Sequence, residues 1–421
     1  MVSRYVVLDM FAGAGGLTEG FFRTKYDIIA HIEMNPHAAE TLKTRTLYHA
    51  LTERGKQDIY YQYYDQNLSR EEFLEECQTL NLPDTGVINR ELSTETEGSI
   101  IEDVKAKLKD LGRNDVDVII GGPPCQAYSL IGRGRNSKKM SDDPRNYLYL
   151  HYLKFIKEFD PKLFVFENVP GLISAKNGEI YRNFLQEIDK LKYRTPTEPR
   201  ILNAQNFGVI QNRKRVIFIG WKNEYDFDYP DFPVKENPYK VWDILKDLPE
   251  LEPGKGTDGP QEYTVKNPSG YLLGYHIRNS HKHVRHHYAR VHNDRDREIY
   301  RIAVKLWNEK KERLRYNKLP DCLKTHSNQS SFLDRFKVVD GDGLSHAVVA
   351  HLSKDGHYFI HPDINQARSL TVREAARIQS FPDNYLFEGP RTAQYVQVGN
   401  AVPPLMAEEI AKEIAGLLSI T

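Results

Sequence analysis

Residues 5–23 read YVVLDMFAGAGGLTEGFFR, and this stretch decides the fold. Tyr5–Asp9 is a short apolar run rich in strand-forming residues. The glycine turn Phe11–Gly16 follows, and then LTEGFFR, which has helix-forming character. Residues 28–33, IIAHIE, form a second strand candidate, and helix formers follow Pro36. Strand, glycine turn, helix, strand predicts a right-handed βαβ unit in a parallel sheet. Further buried strands are expected at Val116–Ile120, Leu163–Glu167 and Val216–Gly220, with helices at Tyr147–Glu158 and Tyr181–Leu191. The expected fold class is α/β, a doubly wound Rossmann-like domain.

The turn also bears on ligand chemistry, because glycines let the backbone approach a ligand closely. A dinucleotide pattern G-x-G-x-x-G beginning at Gly13 needs glycine at position 18, and Thr18 stands there. The nicotinamide reading fails its own pattern. Glu33 stands twenty residues after Gly13, at the end of the second strand. A carboxylate there can accept hydrogen bonds from both ribose hydroxyls of a nucleoside cofactor. The alternative is that the glycines serve only strand-to-helix packing.

Residues 121–129 read GGPPCQAYS, directly after an apolar run. A thiolate is the attacking form of cysteine, and Pro123 and Pro124 stiffen the backbone that carries Cys125. The polar, glycine-containing LIGRGRNSKKMSDDPRN beyond it has the composition of a lid. A buried structural cysteine is the alternative. The next strand ends FVFENVPG and sets Glu167 and Asn168 at the C-terminal edge of the sheet, where open α/β sheets place ligands. Glu167 is either an acid partner for the thiol or an ordinary capping acid. QNRKR, residues 211–215, precedes the strand VIFIG, where an arginine can orient a carbonyl oxygen or phosphate.

The 421 residues predict two or three domains, and 40% apolar content supports a sizeable core. The N-terminus does not read as a signal peptide, and no run is long enough for a membrane span. Three unclustered cysteines without C-x-x-C argue against a disulfide framework or structural zinc and for a reducing cytosol. Net charge is zero. Residues 1–100 nevertheless hold 9 Lys and Arg against 16 Asp and Glu, while residues 271–330 hold 14 against 6, with seven histidines. This segregation predicts a local surface for a polyanion. Residues 50–98 read as a polar, tyrosine-rich insertion. Prolines cluster from 228 to 270, which sets a boundary near 225. Strand-like alternation appears in HAVVAHL and HYFIHP. TVREAARIQSF returns to helix, and Pro404–Leu418 is expected to close the chain as an amphipathic helix.

Taken in order, DMFAGAGGL, GGPPCQAYS, ENVPG, QNRKR, RSLTVREAARIQSFPD and QVGNAVPP resemble the cytosine-5 DNA methyltransferase family of the bacterial restriction–modification type. The resemblance implies S-adenosylmethionine as cofactor and double-stranded DNA as substrate. Cys125 would attack carbon 6 of a flipped cytosine. Glu167 would hold ring nitrogen 3 and the exocyclic amine, and Arg215 the carbonyl oxygen, with Arg213 supporting the site. Phe11, Ala12, Gly13 and Gly15 would meet the cofactor through their backbone, and Glu33 would bind its ribose. Met34 would pack on the adenine in place of a bulky aromatic. Asp103 and Val104 would contact the adenine across the lengthened spacing. Pro123, Leu148, Asn400 and Val402 would complete the pocket. Gln126, Ser129 and Arg133 would touch DNA from the catalytic loop, where Ile131 replaces a second polar position.

The implied organisation is a catalytic domain in residues 1–225, a target-recognition domain in 226–365, and a return to the catalytic domain in 366–421. Within the middle, basic residues and tyrosines interleave as on a surface that meets phosphates and bases, and Arg285 and Arg290 are expected to contact DNA. No histidine pair has clear ligand spacing, so no metal is expected. The remaining expectations are a cytoplasmic, DNA-associated monomer and a cognate restriction endonuclease that does not bind it stably. The same chemistry on RNA, and a catalytically dead DNA-binding module, are the rival readings. The intact set Cys125, Glu167 and Arg215 speaks against the second.

Overall fold

The computed structural model describes residues 4–24, 26–123, 148–325, 328 and 330–421. Cys125, Gln126, Ser129 and Arg133 lie outside the described residues. The strands run β1 (Val6–Met10), β2 (Asp27–Ile32), β3 (Val87–Ile88), β4 (Val118–Gly121), β5 (Leu163–Asn168), β6 (Tyr193–Arg194), β7 (Ile201–Asn203), β8 (Gln211–Asn212) and β9 (Lys214–Lys222). One sheet has the order β3-β2-β1-β4-β5-β9-β6, with β7 also paired to β9. From β3 to β5 every pairing is parallel, and β9 runs antiparallel to β5. The chain leaves β1 towards β2 and β3, then returns on the other side as β4. This reversal opens a crevice at the C-terminal ends of β1 and β4, where such sheets bind ligands.

The helices of this half are α1 (Gly16–Arg23), α2 (Pro36–Glu53), α3 (Gln57–Tyr64), α4 (Arg70–Thr79), α5 (Glu97–Asp110), α6 (Leu148–Phe159), α7 (Gly171–Ser174) and α8 (Glu179–Lys190). The strands are apolar on both faces because both faces are covered. Val7, Val118, Ile120, Leu163, Val165, Ile217 and Ile219 point into one cluster with α1 and the C-terminal helices. Leu8, Met10, Ile119, Phe164, Phe166, Val216 and Phe218 point the other way, against α5, α6 and α8. Tyr152 of α6 donates to the carbonyls of Ile119 and Val165, both at 3.0 Å.

The closing helix forms over Pro404–Leu418, the span the sequence predicts, and docks on α1. A Cβ on Gly20 would lie 2.3 Å from the backbone of Ala407, and one on Gly16 2.3 Å from the Val402 carbonyl. The two helices touch backbone to backbone at positions that admit no side chain. Thr18 bonds the buried Asp9 of β1 through its hydroxyl. The helix is thus tied to the strand by a side chain at the position where a dinucleotide pattern would have glycine.

The tyrosine-rich insertion builds a small core of its own. Tyr60, Tyr63, Tyr64 and Phe73 of α3 and α4 pack with Leu47, Leu51 and Leu386. The hydroxyls of Tyr60 and Tyr64 donate to the carbonyls of Asn384 and Asp383, at 2.6 and 2.7 Å. The rings supply the apolar area while the hydroxyls satisfy buried carbonyls. A third core, with Ile299, Tyr300, Val304, Tyr316 and Phe336, lies around the helix Asp294–Lys310. Val241, Ile244, Tyr271 and Ile277 belong instead to the large cluster of the sheet.

The alternation in residues 346–362 yields little strand. Ser345–His346 pairs with β8, Ala350–Ser353 is a 3-10 turn, and Ile360 makes isolated bridges to Val338 and Ser369. Val348, Leu352 and Phe359 enter the large cluster while Ile360 enters the third core, so burial in two directions accounts for the pattern without a ladder. Among the described residues no helix is long and apolar enough to cross a membrane.

Candidate active site

Glu167 is the penultimate residue of β5 and pairs in register with Ile217 of β9. Arg215 stands two residues before Ile217, so its side chain rises on the same face as Glu167. Its Nε lies 2.7 Å from Glu167 Oε1 in an ion pair, with the two side chains 12% and 13% exposed. The loop after β4 passes directly over this pair. A Cβ on Gly122 would sit 2.6 Å from Glu167 Oε2, and Asn168 Nδ2 donates to the Pro123 carbonyl at 3.2 Å. The backbone that leads into Cys125 therefore starts against the carboxylate, at the mouth of the crevice.

The glycine turn forms the neighbouring wall. The Ala12 N–H donates to the Ile32 carbonyl at 3.1 Å, and the Gly13 N–H to Glu33 Oε2 at 2.8 Å. Glu33 Oε1 accepts from the Asn35 N–H at 2.6 Å. Burial pushes the Glu33 carboxyl above its ordinary value, against the pull of the Asn35 and Gly13 N–H groups. Phe11 has φ 56°, a left-handed conformation uncommon for a side chain of its size. Gly15, at φ 79°, has no room for a Cβ, which would press on Leu42 and the Tyr385 hydroxyl. A Cβ on Gly13 would meet nothing within 4 Å, so the turn borders open space there.

The C-terminal segment reaches the same turn. Val402 is buried against Gly16, and Asn400 is exposed at the end of the helix Arg391–Asn400. Met34 is 58% exposed beside Glu33, and Leu148 opens α6, partly buried.

Several expected residues go elsewhere. Asp103 lies six residues into α5, which leads away from the C-terminal edge of the sheet at about 1.5 Å per residue. It pairs with Arg90 at 3.0 Å, and Val104 is sealed in the core. The residue directly after β3, beside Glu33, is Asn89, whose Nδ2 donates to the Glu33 carbonyl at 2.8 Å. Its signal in the sequence was the two-residue strand Val87–Ile88, hidden by the polar insertion before it.

Arg213 does not face Glu167. It is fully buried and clamps the carbonyls of Val348, Gly399 and Ala401, at 2.5, 3.3 and 2.9 Å. Neither Arg285 nor Arg290 forms a phosphate surface. Arg285 donates to the carbonyls of Asp258 and Tyr64. Arg290 donates to those of Lys354 and Leu352 and stacks 4.4 Å from the Tyr395 ring centroid. Both are buried. The arginines of RSLTVREAARIQSFPD are likewise internal. Arg368 pairs with Glu374, and Arg377 with Asp247 and Asp383, while Arg373 holds the carbonyls of Arg285, Pro382 and Tyr385. Buried charge is tolerable here because partners are supplied on all sides.

A doubly wound sheet with an antiparallel strand after β5, a glycine turn over a strand-end carboxylate, and an acid–arginine pair beside it define a Rossmann-like methyltransferase. The chain matches the family model of C-5 cytosine-specific DNA methylases over residues 5–67 and 89–416. It belongs to that family and is a DNA cytosine-5 methyltransferase of the restriction–modification type. It is 42% identical to the type II methyltransferase M.Bpa9945I of Bacillus paralicheniformis, covering 98% of this chain and 99% of that one. With M.DdeI of Desulfomicrobium norvegicum the identity is 32%, over 97% and 88%. A solved structure from E. coli, described as a prophage-encoded DNA modification methyltransferase, superposes with a TM-score of 0.65 at 23% identity, covering 99% of this chain and all of the other. The family match leaves out residues 68–88, which include α4.

Proposed function

We propose that this chain methylates carbon 5 of a cytosine flipped out of double-stranded DNA, through a covalent adduct on Cys125. The observation that carries the reading is the Glu167–Arg215 pair held against Gly122 and Pro123. Cys125 follows Pro123 by two residues, and the covalent chain keeps their Cα atoms within about 7 Å. In this reading the Cys125 thiolate adds to carbon 6, which makes carbon 5 nucleophilic. Glu167 binds ring nitrogen 3 and the exocyclic amine, and Arg215 binds the carbonyl oxygen, so both stabilise charge that develops on the ring. After carbon 5 has gained its methyl group it loses its proton, and the cysteine leaves as thiolate. The target atom is shielded inside a duplex, so the base must leave the stack, at a cost of a few kcal/mol.

The cofactor of this reading is S-adenosylmethionine. The open space at Gly13 and the double-accepting Glu33 suit a nucleoside, with the Glu33 carboxylate towards the ribose. Bound there, the cofactor supplies an electrophilic methyl group. Phe11, Ala12, Gly13 and Gly15 would line it through backbone, Met34 would offer a thioether to the adenine, and Pro123, Leu148, Asn400 and Val402 would complete the wall. Asn89 takes the polar role first given to Asp103.

Residues 1–225 and 366–421 would act as the catalytic unit and 226–365 as the target-recognition domain. The separate core of residues 299–338 with Ile360 supports a distinct unit within 226–365, whose flanking parts pack into the large cluster of the sheet. Gln126, Ser129 and Arg133 would touch DNA from the catalytic loop. The working form would be a cytoplasmic monomer whose cognate endonuclease shares its site without stable association. A duplex carrying 5-fluorocytosine tests the mechanism, because the fluorine cannot leave as a proton does. The wild type should give a denaturation-resistant protein–DNA adduct and Cys125→Ser none. An adduct retained by Cys125→Ser would overturn the assignment.

A further inference from the structure

Asp65 caps the C-terminal end of α3, and His281 and His283 lie 216 and 218 positions further along the chain. The fold brings the three together. Asp65 Oδ1 is 2.9 Å from both His281 Nε2 and His283 Nδ1, and all three donor atoms lie within 4.8 Å of one another. We propose that they form a binding site for a divalent cation of the zinc class, which staples the tyrosine-rich insertion to the histidine-rich segment.

Two imidazole nitrogens and one carboxylate oxygen are a zinc donor set, with a remaining position open to water. Ligand bonds of about 2.0–2.2 Å in a tetrahedral site place such atoms roughly 3.3–3.6 Å apart, so the two carboxylate–imidazole gaps would open slightly and the two imidazole nitrogens, within 4.8 Å of each other, would adjust towards that spacing. The side chains are 15%, 15% and 24% exposed for Asp65, His281 and His283, sheltered yet reachable from solvent. The site is held from behind. Tyr61 stacks on the His281 ring at 4.3 Å and 17°. Asn279 accepts from the His281 backbone N–H at 3.0 Å and donates to the Tyr61 hydroxyl at 2.7 Å. The stacked Tyr61 ring restricts the orientation of the His281 imidazole. The carbonyl end of α3 adds negative potential that favours a cation. The competing arrangement is a carboxylate that merely accepts from two neutral imidazoles.

The test uses the full chain in a Cys125→Ser background, so that the reactive thiol takes no metal. Chelator-treated protein is dialysed against zinc chloride, and bound metal is counted by elemental analysis. We expect one zinc per chain, loss of affinity by about tenfold or more in His281→Ala/His283→Ala, and a melting temperature that zinc raises only in the unsubstituted protein. Asp65→Asn should show the same loss with an unchanged circular dichroism spectrum, which separates ligand loss from misfolding. Substoichiometric binding, or binding undiminished in the double variant, would overturn the proposal.

Discussion

Arg215 on β9 reaches across to Glu167 on β5 and forms an ion pair, Nε to Oε1 2.7 Å, in a pairing set by the antiparallel register of the two strands. The planar guanidinium serves two partners at once, with Nε beside Glu167 and one Nη donating to the Lys214 carbonyl at 2.8 Å, a geometry lysine cannot copy. Arg215→Lys is therefore expected to lower single-turnover methyl transfer by about two orders of magnitude. Cofactor affinity should stay near wild type. A rate within a factor of about three of wild type would remove Arg215 from the site.

Asn89 and Asp103 make opposite predictions for cofactor binding. Asn89→Ala removes a group held beside Glu33 and should raise the S-adenosylmethionine dissociation constant about tenfold. Asp103→Ala breaks only a half-exposed pair with Arg90 and should leave that constant within about twofold. Titration calorimetry on the two variants decides between them, and the reverse order would restore the assignment to Asp103.

Arg285 and Arg290 bond carbonyls rather than solvent, so their loss should appear in stability. Arg290→Ala strands the carbonyls of Leu352 and Lys354 and removes a ring contact, at a cost of about 2–4 kcal/mol in urea unfolding. The slope of DNA affinity against salt should not change, because no phosphate contact is lost. A flattened slope with unchanged stability would return these arginines to the DNA surface.

Acid should loosen the histidine-rich region. Burial lowers His287 to about 4 and His346 to about 3, from an ordinary 6.5. Between the ordinary and the lowered values the unfolded chain binds more protons than the native state. The stability from keeping both rings neutral is therefore complete above about pH 6.5 and is lost as pH falls towards about 4. Urea midpoints measured from about pH 7 down to about pH 5 should decline, and more shallowly in His287→Asn. A flat wild-type profile across that window would count against neutral buried histidines.

The strands, the first glycine turn and the closing helix were legible in the sequence because each depends on local information. Apolar runs mark doubly covered strands, and glycines at 13 and 15 mark positive φ. Glu167 was legible for a related reason: a strand end in an open sheet is a predictable place. Asn89 was not legible because the insertion between β2 and α5 hides a strand of two residues.

The arginines show where local information ends. Arg213 and Arg215 are two apart on one basic stretch, yet one is sealed against three carbonyls and the other faces Glu167. Arg285 and Arg290 looked like a phosphate surface, and the fold turned them inward. By itself the sequence determined the α/β scaffold, the family and the acid at the strand end, since backbone preference and hydrophobic period are carried residue by residue. Only the tertiary structure decided which charges meet solvent, which meet carbonyls, and that Asp65 meets His281 and His283, because those partners are supplied by segments far apart along the chain.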